Sequence, residues 1–117
     1  MNEQRKDTRK KLMSFTTVYD SVSHTLIGYV GNINLLGVMV VGEHPVEVGK
    51  ETILHIELPT STENIDNKLV MPVRAAWCKQ EESAHSYTIG FEFKEITPTQ
   101  AVTIQAVLDR YHFRYNE

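Results

Sequence analysis

Apolar residues recur at every second position over three stretches of the chain and at helical spacing over a fourth. Over 52–58, Leu54, Ile56 and Leu58 share one face while His55 and Glu57 share the other, the alternation of a half-buried strand. Over 69–79 the odd positions Leu69, Met71, Val73, Ala75 and Trp77 form an apolar stripe, which predicts a longer strand with Trp77 in the core. Pro72 denies that ladder one donor and predicts an edge or a bulge at its own position. Tyr87, Ile89, Phe91 and Phe93 then alternate with Thr88, Gly90, Glu92 and Lys94, the clearest period-two signal in the chain.

Three further strands rest on composition. Residues 12–22 contain Phe15, Thr16, Thr17, Val18 and Tyr19, β-branched and aromatic in the manner of strands, and 20–25 is a turn. Two apolar runs, 26–33 and 37–41, enclose a short polar break with Gly37 at its far end, a strand-turn-strand pattern. Apolar residues fall on both parities in these two runs, so periodicity does not assign their inner face. Loops are expected over 42–50 and 59–67, and a hairpin over 80–86.

The period changes at Thr97-Pro98-Thr99-Gln100. A threonine cap, a proline at the first helical position and a glutamine three residues after the cap make a capping box. Ala101, Ile104, Leu108, Tyr111 and Tyr115 follow at helical spacing, predicting a helix over 97–115 that lays this stripe over an open end of the sheet. Six strands with no helix between them imply an antiparallel sheet. Strands this short imply closure, since a barrel removes exposed edges. The fold class is mainly β: a six-stranded antiparallel barrel with a C-terminal helix.

At 117 residues, 41% hydrophobic and 23% charged, the chain has the size and composition of one globular domain. Its net charge of -3 argues against a dedicated nucleic-acid binder, which carries a basic surface. Five of the 12 Lys and Arg residues nevertheless fall within 5–11. The division expected is a flexible basic arm, 1–11, and a barrel domain, 12–117. Cys78 is the single cysteine and cannot form an internal disulfide, which fits a reducing compartment. No apolar run is long enough to span a membrane, so a cytoplasmic protein is expected.

Candidate chemistry concentrates in two places. Asn32 and Asn34 project short amides, each with a donor and an acceptor, at the mouth of the break closed by Gly37. Arg5 and Arg9 lie four residues apart in the arm. The bland readings are turn chemistry for the asparagines and a solvated tail for the arm. His24, His44, His55, His85 and His112 lack metal-ligand spacing, so no metal is expected. Glu57, Glu92 and Glu95 fit solvated strand faces, and Cys78 fits a packed or half-exposed thiol. There is no nucleophile elbow, phosphate loop or triad pattern, which leaves an enzyme without support.

Arg5-Lys6-Asp7-Thr8-Arg9, followed by Asn32-Ile33-Asn34-Leu35-Leu36-Gly37, resembles the two sequence marks of the PilZ domain family, R-x-x-x-R and [D/N]-x-S-x-x-G. Gly28-x-Val30-x-Asn32, residues 73–77 and Ile89-Gly90-Phe91-Glu92-Phe93 resemble the family's other strand segments in order and spacing. The departure is Asn34, where the family has serine. The resemblance implies a six-stranded barrel, no enzymatic activity, no cofactor, and cyclic di-GMP as ligand.

It also implies the site residues Arg5, Arg9, Asn32, Asn34 and Gly37. The two arginines suit phosphate and guanine, which a guanidinium meets with paired hydrogen bonds or by stacking. The asparagines suit a guanine edge, and Lys6, Lys10 and Lys11 add unspecific attraction. Ligand-driven ordering of the arm would signal to an effector protein in trans, with monomer and dimer both open. The alternative is a PilZ-type interaction module that has lost the nucleotide and works through protein contacts, its surface the segment Tyr111-His112-Phe113-Arg114-Tyr115. A third reading, a barrel binding single-stranded nucleic acid through the arm, predicts steep salt dependence instead.

Overall fold

The computed structural model describes residues 11–13, 16–58, 68–82 and 85–113. Its strands are β1 (Lys11–Met13), β2 (Thr17–Asp20), β3 (Thr25–Ile33), β4 (Gly37–Gly42), β5 (Glu51–Glu57), β6 (Lys68–Glu81) and β7 (Ser86–Phe93). Helix α1 (Pro98–Arg110) and strand β8 (Tyr111–Phe113) follow. Strands β2 to β7 close into a barrel in the order β2-β3-β4-β7-β6-β5, every neighbouring pair antiparallel. The mainly β class and the six-stranded barrel follow the periodicity of the sequence.

Inside the barrel Val18, Val40, Leu54, Ile56, Met71, Val73 and Ile89 are fully enclosed, and Ile104 and Val107 of α1 join the same cluster. The helix starts as its sequence dictates. Gln100 N–H donates to Thr97 Oγ1 at 3.1 Å and Thr97 N–H donates back to Gln100 Oε1 at 3.0 Å, so the capping box satisfies two donors that would otherwise be orphaned.

Two β-bulges explain the mixed parities. The β3–β4 register shifts between Val30 and Asn32, so Val30 and Ile33 both face inward although one is even and the other odd. In β6 the shift between Ala75 and Trp77 ends the odd stripe. Leu69, Met71, Val73 and Ala75 are buried, whereas Trp77 is turned out and 43% exposed. The expected core position of Trp77 is therefore corrected: one extra residue flips every side chain after it to the other face. Pro72 itself pairs with Ile53 without a bulge. Its carbonyl accepts from Lys94 N–H at 2.9 Å, one residue past the last residue of β7, so its missing N–H faces a ladder that has already ended.

The helix stops short of its expected end. α1 finishes at Arg110, and Tyr111–Phe113 is extended, pairing in parallel with Lys11–Met13 in the register Lys11↔Tyr111. The aromatic run Tyr111-His112-Phe113 suits a strand once a partner lies beside it, and the partner is the segment that follows the basic arm. Lys11, expected in the arm, is thus the first residue of β1. Arg5 and Arg9, with the rest of 1–10, lie outside the described residues, as do Arg114 and Tyr115.

Candidate functional site

The outer face of the barrel carries an open groove of about 290 Å³ built on β3, β4, β7 and β6. Cross-strand register arranges its floor in two rows. One row runs Asn32, Met39, Gly90, Trp77, each paired with the next across adjacent strands. The second runs from Gly37 to Glu92, with Arg74 beside Glu92 on β6 just outside the lining. Neighbouring strands lie about 4.8 Å apart, so each row forms a continuous strip.

Trp77 and Gly90 make a matched pair. A β-carbon at Gly90 would collide with the Trp77 indole at Nε1 and Cε2, so the ring lies directly over the glycine. The bulge at Ala76 delivers the ring and the glycine makes room for it, fixing a half-exposed aromatic surface at one end of the groove. Gly37 is needed for a related reason. A β-carbon there would collide with the Phe91 carbonyl oxygen, so close approach of β4 to β7 requires glycine whether or not a ligand approaches.

The turn between β3 and β4 is held by Asn34. Its Oδ1 accepts from Leu36 N–H at 2.7 Å and Gly37 N–H at 3.1 Å, and its own N–H donates to Gly37 O at 3.0 Å. Asn32 Oδ1 accepts from Ile33 N–H at 2.8 Å. Both amide orientations are fixed, because a backbone N–H needs an oxygen opposite it. The turn chemistry read as the bland alternative is therefore present. It leaves the NH2 group of Asn34 pointing away from the turn's own bonds, with both lone pairs of its oxygen in use. Leu36 beside it is 79% exposed, an apolar rim on the groove.

Among the described residues Glu92 supplies the one carboxylate on the groove's lining. It lies 3.7 Å from Arg74 Nη1 with both side chains about half exposed, a separation and exposure at which an ion pair holds neither partner firmly.

Of the five expected site residues, Asn32, Asn34 and Gly37 line this groove together, and Arg5 and Arg9 lie outside the described residues. Sequence reasoning missed Trp77, because the bulge breaks its stripe, and treated Glu92 as a solvated position. Gly90 on the outward parity of β7 was the available signal that something lies across that face. Among the described residues no group of three or more His, Cys, Asp or Glu is arranged to hold a metal ion, and no helix is long and apolar enough to cross a membrane.

A closed six-stranded antiparallel barrel, plugged by a helix and grooved beside an asparagine-held turn, is the architecture of a small binding domain. The chain belongs to the PilZ domain family, whose model matches residues 3–113. PilZ domains are binding modules for cyclic di-GMP and for effector proteins rather than enzymes. No curated protein and no solved structure matches the chain.

Proposed function

We propose that this protein is a cyclic di-GMP receptor in which the nucleotide occupies the groove between the Asn32–Asn34 turn and the Trp77 indole. The observation that carries the reading is the convergence, on one groove, of the second PilZ mark and an aromatic ring seated over a glycine. A guanine offers a flat face and a polar edge. The indole suits the face, since stacking on an aromatic contributes about 1 to 3 kcal/mol per base. The turn amides suit the edge.

Arg5 and Arg9 complete the site from the arm by bonding phosphate and guanine. The arm runs directly into β1, so capture of the ligand orders the segment next to the β1–β8 ribbon. That new surface is read by an effector protein in trans. Leu36, Leu35 and Trp77, all exposed beside the groove, favour a second reading in which the same rim binds a protein directly and the nucleotide has been lost.

Calorimetry separates the two. The receptor reading expects saturable heat with cyclic di-GMP, a large loss in Arg9→Ala and a small one in Lys11→Ala. Absence of heat at high micromolar ligand ends the receptor reading and favours the protein-binding one. Equal small losses in the two variants mean the arm acts through net charge alone.

A further inference from the structure

We propose that Glu92 reads the N1–H and N2–H2 edge of a guanine held in the groove, supplying the charged, two-oxygen acceptor that the turn asparagines lack; the inference rests on the receptor reading above. Guanine presents three N–H hydrogens along that edge. Each costs free energy if it leaves water without a partner. The turn is poor in acceptors. Both lone pairs of Asn34 Oδ1 are engaged by Leu36 N–H and Gly37 N–H, and Asn32 Oδ1, which accepts from Ile33 N–H, keeps a single neutral lone pair for an edge with three donors. What Asn34 has to offer is its NH2 group, which matches guanine O6 or N7 rather than N1 and N2.

Glu92 fills the gap by position and by charge. It stands opposite Gly37 on the next strand and two residues from Gly90, on the same outward face of β7, so its carboxylate adjoins the strip over which the Trp77 ring lies. A base stacked on the indole would turn its edge toward the second row. A carboxylate accepts two parallel N–H bonds, and charge-assisted bonds are about twice as strong as neutral ones. Arg74 at 3.7 Å balances the charge against an anionic ligand without locking the carboxylate. The negative group that an aspartate at position 32 would bring is thus provided from across the sheet.

The test pairs one substitution with one ligand analogue. Cyclic di-GMP and its inosine counterpart, cyclic di-IMP, differ only in the exocyclic 2-amino group. They are titrated by calorimetry into the intact chain, Glu92→Gln and Arg74→Ala, with thermal melts confirming that each variant folds. The parent chain is expected to favour cyclic di-GMP over cyclic di-IMP by about tenfold or more. Glu92→Gln should bind cyclic di-GMP about tenfold more weakly, with its preference reduced to about twofold, while Arg74→Ala keeps the preference. Unchanged discrimination in Glu92→Gln, or none in the parent chain, overturns the assignment and leaves the receptor reading standing. A parent chain that binds neither nucleotide overturns both.

Discussion

Two turns of this barrel use the same local device, and what surrounds each decides what it is for. Between β2 and β3, Asp20 Oδ1 accepts from Val22 N–H at 2.9 Å and Ser23 N–H at 3.1 Å. Between β3 and β4, Asn34 Oδ1 accepts from Leu36 N–H and Gly37 N–H. In both a short side chain lends an oxygen to consecutive backbone donors, the habit that makes Asp and Asn turn residues. Asp20, however, is 3% exposed, also accepts from Thr52 Oγ1 at 2.9 Å, and has Lys50 at 3.6 Å. Its carboxylate is enclosed and its hydrogen bonds are all made within the barrel wall, so it serves the barrel. Asn34 is exposed beside a groove with an unused donor. The second turn has chemistry left over, and leftover chemistry is what a binding site needs.

The sharpest contrast lies in stability. Asp20→Ala strands two backbone N–H groups, the Thr52 hydroxyl and the Lys50 ammonium, and should destabilise the fold by about 2 to 4 kcal/mol in denaturant titrations. Asn34→Ala leaves its two N–H groups open to water and should cost about 1 kcal/mol. Equal losses would erase the distinction between the turns.

In binding the order reverses. Trp77→Ala should weaken cyclic di-GMP by about 2 kcal/mol, the worth of one base stacked on an aromatic, while Asp20→Asn leaves affinity unchanged. Calorimetry on the two variants checks this, and an undiminished affinity in Trp77→Ala would remove the indole from the site.

The smallest effect expected is a pH dependence carried by Asp20. Burial works to raise its pKa, but hydrogen bonds from Ser23, Thr52 and Val22, with the Lys50 charge, outweigh it and hold the carboxyl below its ordinary value. A depressed folded pKa adds stability above the unfolded value of about 3.9 and loses it as pH falls through the folded one. Urea midpoints measured from pH 5 downward should fall faster for the parent chain than for Asp20→Asn. Parallel curves would contradict the assignment.

The barrel was legible because β5 and β7 alternate and Thr97-Pro98-Thr99-Gln100 caps a helix, both local properties of the chain. The candidate site was legible only in part. Asn32, Asn34 and Gly37 stood out through the second PilZ mark, whereas Trp77 was hidden by the bulge at Ala76. A bulge is set by pairing with a partner strand, and no single-strand periodicity contains that information. Glu92 was invisible for a similar reason, since only the Gly37↔Glu92 register brings it beside the turn. The end of α1 differs from expectation because Tyr111 suits a helix stripe and a strand alike, and the parallel pairing to Lys11–Met13 decides between them.

The claim that the groove beside Asn34 is the nucleotide site is tested most directly by following amide and indole N–H resonances while cyclic di-GMP is added. Trp77 is the only tryptophan, so its indole signal is unambiguous. The account predicts saturable shifts of that signal and of the Leu36 and Gly37 amides, with Val22 and Ser23 unmoved. Shifts at Val22 and Ser23 with the indole silent, or no shifts at all, would contradict it.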